Sequence, residues 1–238
     1  MLKFVTKRDY WSIDPQLISI LPVKFEWHLK SVQDAVAFEK LRNVRGKRVA
    51  EIGGGDSRIL LPLSKFNTCY NIEEFKGQGG GPNHEIKISN VSNIPAVVGD
   101  FNGLISANFF DIIFSVSVVE HVPFDKIKSF FEECHEMLIP GGIMIHLIDV
   151  YLEDDPVNNK NTVKLISQYR SAFVEEHMNK RVFKPFSNEV IRNGDVRFST
   201  SFATNPDNAM MKWNISAPGL KEKRTRAQSC TLIMMGTK

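Results

Sequence analysis

The sequence predicts a doubly wound α/β domain with a mostly parallel, seven-stranded sheet. From residue 47 onward, short apolar runs alternate with amphipathic ones, as they do in successive strand–helix units. A glycine turn at residues 53–55 directly follows the first of these runs. The composition, with 42% hydrophobic and 24% charged residues in 238, suits a globular chain with one substantial core.

The expected elements follow in chain order. A helix with a 3.6-residue apolar period is predicted at residues 31–42, within an N-terminal helical flank or lid of residues 1–45 that precedes the main domain of residues 46–238. An amphipathic helix between the last two core strands begins after Pro123 and is stopped by Pro140-Gly141-Gly142. Parallel core strands are predicted at residues 48–52, 68–72, 96–99, 110–116 and 142–149.

The C-terminal part has a different pattern. A helix is predicted at residues 162–178, and strands at residues 196–203 and 229–235. Because no long helix separates these two strands, we expect them to form an antiparallel pair at the sheet edge.

Charge and cysteine content exclude several classes of protein. A formal net charge of +3 is too small for a dedicated nucleic-acid binder, so nucleic acid is not the favoured partner. The three cysteines are far apart and form no CxxC pair, which argues against a disulfide framework or a zinc site. No stretch approaches the roughly 20 apolar residues of a membrane span, so we expect a soluble, cytoplasmic protein without a membrane partner.

The strongest local signal is the segment Glu51-Ile52-Gly53-Gly54-Gly55-Asp56-Ser57, which joins a strand to the start of a helix. Glycines permit a sharp turn and the close approach of a ligand, although a purely structural turn is the alternative. A dinucleotide site would require a third glycine at position 58, where this chain has arginine. The segment therefore argues against NAD or FAD, and Glu51 suits a cationic ligand instead.

This segment resembles motif I, E/D-x-G-x-G-x-G, of class I (Rossmann-like) S-adenosylmethionine-dependent methyltransferases of the small-molecule type. Glu51, Gly53 and Gly55 match the motif, and Ser57 replaces its last glycine. The resemblance implies S-adenosyl-L-methionine as cofactor. Glu51 would then lie near the cationic methionine portion, and Gly53, Gly54, Gly55 and Ser57 would line the cofactor.

Further landmarks of this family occur in the expected order. Glu73 ends the second core strand, where an acid can accept both ribose hydroxyls, although a solvated loop acid is the alternative and Glu74 is the reserve candidate. Gly99-Asp100 resembles the family's G-D dipeptide, which implies that Asp100 accepts from the adenine amino group and that Phe101 packs on the base.

The fourth core strand and its following loop, residues 110–122, resemble the corresponding region of small-molecule methyltransferases, including the Glu120-His121-Val122 ending. This resemblance implies that Ser115 lies at the cofactor. Residues 137–142 resemble the L-x-P-G-G turn before the fifth strand.

His121 and Glu120 are the candidate catalytic residues. His121 follows a strand on the ligand edge and has a side chain suited to proton removal, although it could equally be a loop histidine bonded to backbone. Some related enzymes carry a further acid three residues before Glu120, where this chain has Ser117. We therefore expect no metal, even though Glu120, His121, His146 and Asp149 could gather on one edge.

Candidate substrate contacts are Asp149, His146 and Trp27. Asp149 lies nearer the ligand edge, whereas His146 has the opposite strand parity and could be an interior histidine. Trp27 belongs to an aromatic N-terminal flank that could wall the acceptor pocket or simply pack. The glycine-rich segment 76–84 could be a lid or a surface excursion.

The resemblance implies methyl transfer from S-adenosylmethionine to an oxygen or nitrogen nucleophile of a small-molecule or glycan acceptor. An RNA methyltransferase remains an alternative, although the N-P-P-Y-like turn for base-amino methylation is absent. Another is an aminopropyltransferase using decarboxylated S-adenosylmethionine, since spermidine synthases also carry G-G-G-D. A non-catalytic cofactor-binding subunit is the third.

Overall fold

The computed structural model describes residues 2–22, 28–77, 82–96, 105–155, 160–165 and 227–238. The strands in these ranges are β1 (Leu2–Phe4), β2 (Arg48–Ile52), β3 (Thr68–Glu73), β4 (Val91–Pro95), β5 (Phe110–Val116), β6 (Leu138–Asp155), β7 (Lys160–Leu165) and β8 (Ala227–Thr237). The α-helices are α1 (Lys7–Trp11), α2 (Pro15–Ile18), α3 (Leu29–Leu41), α4 (Leu60–Leu63) and α5 (Ile127–Met137), and short 3₁₀ turns occupy Val119–His121 and Phe124–Lys126.

The described strands form one mixed sheet in the order β1-β8-β6-β5-β2-β3-β4, and β7 pairs with β6 beside this path. Strands β2 to β6 run parallel to their neighbours among themselves, whereas β8 is antiparallel to β6 and β1 is antiparallel to β8. The predicted α/β, Rossmann-like fold class is confirmed. The sheet has one more described strand than predicted, because β1 and β7 add to it and the predicted strand at 196–203 lies outside the described residues.

Helices cover both faces of the sheet. One face packs against α1, α2 and α3 through a cluster that includes Val32, Phe38 and Phe114. The other face packs against α5, whose Phe130 is fully buried. Burial of one such side chain contributes about 1.5–3 kcal/mol. The sheet is therefore held between two apolar layers, with its strand ends free to carry polar side chains.

The N-terminal flank is part of this sheet. Its first strand, Leu2–Phe4, pairs with residues 232–234 of β8, and α3 lies where the periodicity predicts it. The boundary at residues 45 and 46 stays a prediction.

Three element predictions need correction. The predicted strand 96–99 is replaced by β4 at Val91–Pro95, an edge strand whose exposed face needs no apolar run, and residues 97–99 lie outside the described range. The start of the predicted helix 162–178 is instead β7, because β6 continues to Asp155 and pairs with it antiparallel. The rest of that helix falls outside the described residues.

The Pro140-Gly141-Gly142 segment also lies differently from its prediction. Helix α5 ends at Met137, and β6 already begins at Leu138. The register with β5 then shifts, from Phe110 opposite Leu138 to Ile112 opposite Ile143, so residues 139–142 form an irregularity within the strand. Gly141 has a φ of 79°, a backbone conformation that favours glycine.

Candidate functional site

Predicted ligand residues meet at one edge of the sheet. Because β2, β3 and β5 are parallel neighbours, their carboxyl ends, Ile52, Glu73 and Val116, lie along the same edge. Ligands of open α/β sheets bind at this edge. The glycine turn leaves β2 here, and the Gly53 N–H donates to the carbonyl of Ile72 in β3 over 2.7 Å.

The glycine turn is tightly packed by the protein itself. Gly53 and Gly55 have φ values of 62° and 52°, which side chains rarely adopt. A Cβ added to Gly53 would lie 2.5 Å from Val118 Cγ2, in the segment that follows β5. The turn and this segment thus touch at the candidate site, and neither Gly53 nor Gly55 can be replaced without strain.

Glu51 is the buried acid of this site. Its carboxylate accepts a hydrogen bond from the Ser57 hydroxyl, and its residue is only 4% exposed. Burial disfavours the charged form and Asp34 adds a repulsive charge, so the pKa of Glu51 is raised from 4.5 to about 8. A buried carboxyl of this kind fits a cationic ligand, since a positive charge would offset the cost of ionising it.

Ser57, the residue that replaces the last glycine of the motif, has two roles here. Besides donating to Glu51, its Oγ accepts from the backbone N–H of Leu60 over 3.0 Å, at the start of α4. The next residue, Arg58, turns its guanidinium to Asp34 of α3, which is buried. The glycine turn is thereby tied both to α4 and to the N-terminal helix.

Glu73 stands at the end of β3, where the ribose acid is expected. Its carboxylate accepts the backbone N–H of Glu74 over 2.9 Å, and its side chain is partly exposed at the edge. Glu74 forms an ion pair with Lys76, also at 2.9 Å. Three other predicted contacts, Asp100, Phe101 and Trp27, lie outside the described residues.

Ser115, which is predicted to lie at the cofactor, is hydrogen-bonded inside the fold, and its cofactor contact stays a prediction. Its residue is fully buried, and its Oγ is 2.8 Å from Nδ1 of His146 in the neighbouring strand β6. His146 packs against Phe130 and Phe131 of α5, with both ring centroids 5.6 Å away. Burial lowers the pKa of His146 to about 3, so the imidazole is neutral. The interior-histidine alternative therefore fits the burial of His146, and its role as a substrate contact stays a prediction.

Asp149 points to the opposite face of the sheet, as its parity predicts. Its carboxylate is 3.0 Å from the Lys30 ammonium of α3, accepts from the Gln33 amide, and is 2.7 Å from the Ser117 hydroxyl. Ser117 follows β5 with a φ of 56°, which turns its side chain from the α5 face toward α3. Asp149 is therefore embedded in a polar cluster at the ligand edge, and its charge is compensated within the protein.

The two candidate catalytic residues differ in exposure. Glu120 is buried in the 3₁₀ turn after β5, whereas the side chain of His121 is 56% exposed, and its Nε2 is 3.9 Å from Glu120 Oε1. The four-residue cluster considered for a metal does not form, because His146 and Asp149 lie on opposite faces. Within the described ranges, no three His, Cys, Asp or Glu side chains are placed to hold a metal ion.

The end of the glycine-rich segment 76–84 reaches the turn. A Cβ on Gly55 would lie 3.3 Å from Pro82, and His84 Nε2 is 3.4 Å from the Asp56 carboxylate. Gly77 and Pro82 are joined by a 3.0 Å backbone hydrogen bond across residues that the structure does not describe. Both the lid and the surface-loop alternatives stay predictions.

Sequence reasoning missed Lys30, Gln33 and Asn71. Asn71 is buried in β3 and donates its amide to the Gly55 carbonyl over 3.0 Å. A polar residue between Tyr70 and Ile72 in a core strand was the available signal for it. For Lys30 and Gln33 the signal was weaker, since Lys30 directly precedes the predicted helix 31–42 and Gln33 is simply one of its polar positions.

Comparison with known proteins agrees with this geometry. Residues 50–146 match the family model described as a methyltransferase domain. This segment includes the glycine turn, Glu73 and β5, where the sequence motifs predict such a domain. A search of curated proteins found no match.

Two solved structures with a similar fold are of phosphoethanolamine N-methyltransferase 2 from Haemonchus contortus. One, in complex with phosphomonomethylethanolamine and S-adenosylhomocysteine, is 13% identical with a TM-score of 0.50. The other, in complex with S-adenosyl-L-methionine, is 14% identical with a TM-score of 0.50. In both cases 87% of this chain and 52% of that chain are covered. The chain spans about half or less of the first solved structures that it matches.

The helices of the structure also bear on whether the chain could span a membrane. None of the helices in the described parts of the chain combines the length and the apolar character needed to cross a bilayer.

Proposed function

We propose that this chain transfers a methyl group from S-adenosylmethionine to an oxygen or nitrogen nucleophile of a small-molecule or glycan acceptor. The observation that carries the proposal is the buried Glu51 carboxyl behind a positive-φ glycine turn, one strand away from Glu73. An acid that is costly to ionise alone fits a ligand that brings a positive charge, and an acid at the neighbouring strand end fits a diol.

Each residue of the site has one task in this proposal. Glu51 receives the cationic methionine portion, Glu73 accepts the ribose hydroxyls, and Gly53 to Gly55 let the ligand approach the backbone. Ser57 orients Glu51 through its hydroxyl. Asp100 and Phe101 are assigned to the adenine on sequence grounds alone.

The bound cofactor supplies an activated methyl group, and the protein supplies alignment and a water-poor site. A base is required only if the acceptor must lose a proton. His121 is suited to this task because it is exposed at the ligand edge, with the buried Glu120 carboxylate 3.9 Å behind it to orient the ring. One structural neighbour is an N-methyltransferase in complex with phosphomonomethylethanolamine, which is a small molecule.

Thermal shift assays test the cofactor assignment. We expect S-adenosylmethionine and S-adenosylhomocysteine to raise the melting temperature by about 5–10 °C at 100 times their Kd, because this concentration contributes about 2.7 kcal/mol. Decarboxylated S-adenosylmethionine tests the aminopropyltransferase alternative, and stabilisation by NAD alone would overturn the proposal. Acceptor screening with small amines, phenols, sugars and RNA then follows with the stabilising ligand.

A matched pair of variants tests Glu73. Glu73→Ala should weaken S-adenosylhomocysteine binding by roughly tenfold, in line with the loss of hydrogen bonds to a charged group. Glu74→Ala is the control, because Glu74 is the adjacent acid and is engaged with Lys76. Equal affinities of the two variants would remove Glu73 from its assigned role.

A further inference from the structure

Asn71 occupies an unusual place for an amide side chain. It lies in the middle of β3 with no exposed surface, and in the strand register it is the partner of Glu51 in β2. Its neighbours along β3 are Tyr70 and Ile72. Because burial of a polar group is costly without hydrogen bonds, an amide at this position calls for a physical reason.

The first reason is a hydrogen bond to the glycine turn. The Asn71 Nδ2 donates to the carbonyl of Gly55 over 3.0 Å, across sixteen residues of sequence. Gly55 has a φ of 52°, a left-handed conformation that sets the direction of its carbonyl, and Asn71 donates to this carbonyl in that direction. The amide therefore fixes the far end of the turn to the neighbouring strand.

The second reason lies on the other side of the amide. The Oδ1 of Asn71 is buried and accepts no hydrogen bond from the described residues. A Cβ added to Gly54 would lie 2.6 Å from this oxygen and 2.9 Å from Glu51 Cδ. The Asn71 amide and the Glu51 carboxyl thus pack together against Gly54, and they leave no room for a side chain there.

We propose that Asn71 is a positioning residue for cofactor binding, which holds the turn at Gly53 to Gly55 over the Glu51 carboxyl in the geometry that receives the cofactor. This inference rests on the proposed function. It accounts for the type of side chain, because an aliphatic residue would leave the Gly55 carbonyl without its donor. An aspartate would add a second carboxylate beside Glu51.

The neighbouring strand offers a matched control. Asn93 of β4 is the register partner of Asn71, its Nδ2 donates to the Ile86 carbonyl over 2.8 Å, and its Oδ1 is likewise buried without a hydrogen bond. Asn93 thus has the same kind of amide contacts as Asn71, but it lies one strand further from β2. The carbonyl that Asn93 holds belongs to the segment before β4, not to the glycine turn.

Titration calorimetry on the full chain with S-adenosylhomocysteine and S-adenosylmethionine separates the two asparagines. We expect Asn71→Ala to raise both Kd values about tenfold, as the loss of one buried hydrogen bond would do. Asn93→Ala should change them less than twofold. Both variants should lower the melting temperature by a few degrees, and Asn71→Ala by more, since Asn71 is fully buried and Asn93 only half-buried.

Asn71→Asp supplies a second readout if the alanine variant fails to fold. An ionised aspartate cannot donate to the Gly55 carbonyl, whereas a protonated one can. The Kd of Asn71→Asp relative to wild type should therefore fall toward one between pH 8 and pH 6. A ratio that is larger at pH 6, where the protonated side chain can donate, than at pH 8 would contradict the need for a donor and overturn the inference.

The outcomes distinguish the inference from the function on which it rests. If wild type binds neither ligand, the proposed function fails. If wild type binds and Asn71→Ala weakens binding no more than Asn93→Ala, the function stands and the role of Asn71 is wrong.

Discussion

Asp149 and Glu51 are both buried at the ligand edge near α3, and their surroundings differ. Asp149 faces the Lys30 ammonium at 3.0 Å and is also bonded to Gln33 and Ser117. Glu51 accepts a hydrogen bond from the Ser57 hydroxyl, while the adjacent guanidinium of Arg58 pairs with Asp34. One acid is compensated by a cation of the protein, and the other is not placed in such a pair.

The two buried acids therefore differ in what they can bind. Asp149 is already paired within the protein, whereas Glu51 fits a cationic ligand. Asp149 has a cationic partner and further hydrogen bonds beneath α3. The pKa of Glu51 is raised by burial, so the free protein holds this group largely protonated at neutral pH. A cationic ligand would supply the missing charge. Amide variants of Glu51 and Asp149 test this difference.

The largest expected effect is on cofactor affinity. Glu51→Gln keeps the size of the side chain but removes the charge, so we expect the Kd for S-adenosylmethionine to rise about 100-fold, or about 2.7 kcal/mol. Calorimetry at pH 8 measures it. Asp149→Asn is the comparison and should change this Kd far less. Equal losses for the two variants would mean that the acids are not functionally distinct.

The next effect is on folding stability. Asp149→Asn leaves the Lys30 ammonium without its counter-charge, and because the Lys30 side chain is 42% exposed, water offsets part of the loss. We expect unfolding free energy to fall by about 2 kcal/mol, less than the 3–5 kcal/mol of a fully buried pair. Urea denaturation measures it. Glu132→Gln, which removes the exposed pair with Lys128, is the control and should cost under about 0.5 kcal/mol.

The parts of the fold that could be predicted are those encoded over short distances. The strand before the glycine turn and the strand at residues 110–116 match the structure because an apolar run and its turn signals are local. Helix α3 matches within two residues for the same reason. The opposite directions of His146 and Asp149 follow from strand alternation alone.

The remaining features depend on tertiary neighbours. Lys30 reaches Asp149 across 119 residues and Gln33 reaches Ser117 across 84, so no sequence window contains either pair. Strand β4 was misplaced because an edge strand can be half polar. The start of the predicted helix 162–178 is strand β7 in the structure. The extension of β6, which is the pairing partner of β7, has no local signature in the sequence.

The smallest expected effect concerns the stability of the ligand-free protein. Because the folded-state pKa of Glu51 is raised to about 8, its contribution to the free energy of unfolding is fully present below about pH 4.5. This contribution is lost as pH rises toward 8. The free energy of unfolding of Glu51→Gln should therefore equal that of wild type near pH 4.5 and exceed it by about 1 kcal/mol at pH 8. Urea titrations at both pH values measure the difference. Asp111→Asn is a control of opposite sign, since the pKa of Asp111 is lowered by its bonds to Arg48 and Lys47 despite partial burial. A wild type more stable than Glu51→Gln at pH 8 without ligand would show that Glu51 is already compensated within the fold, as Asp149 is.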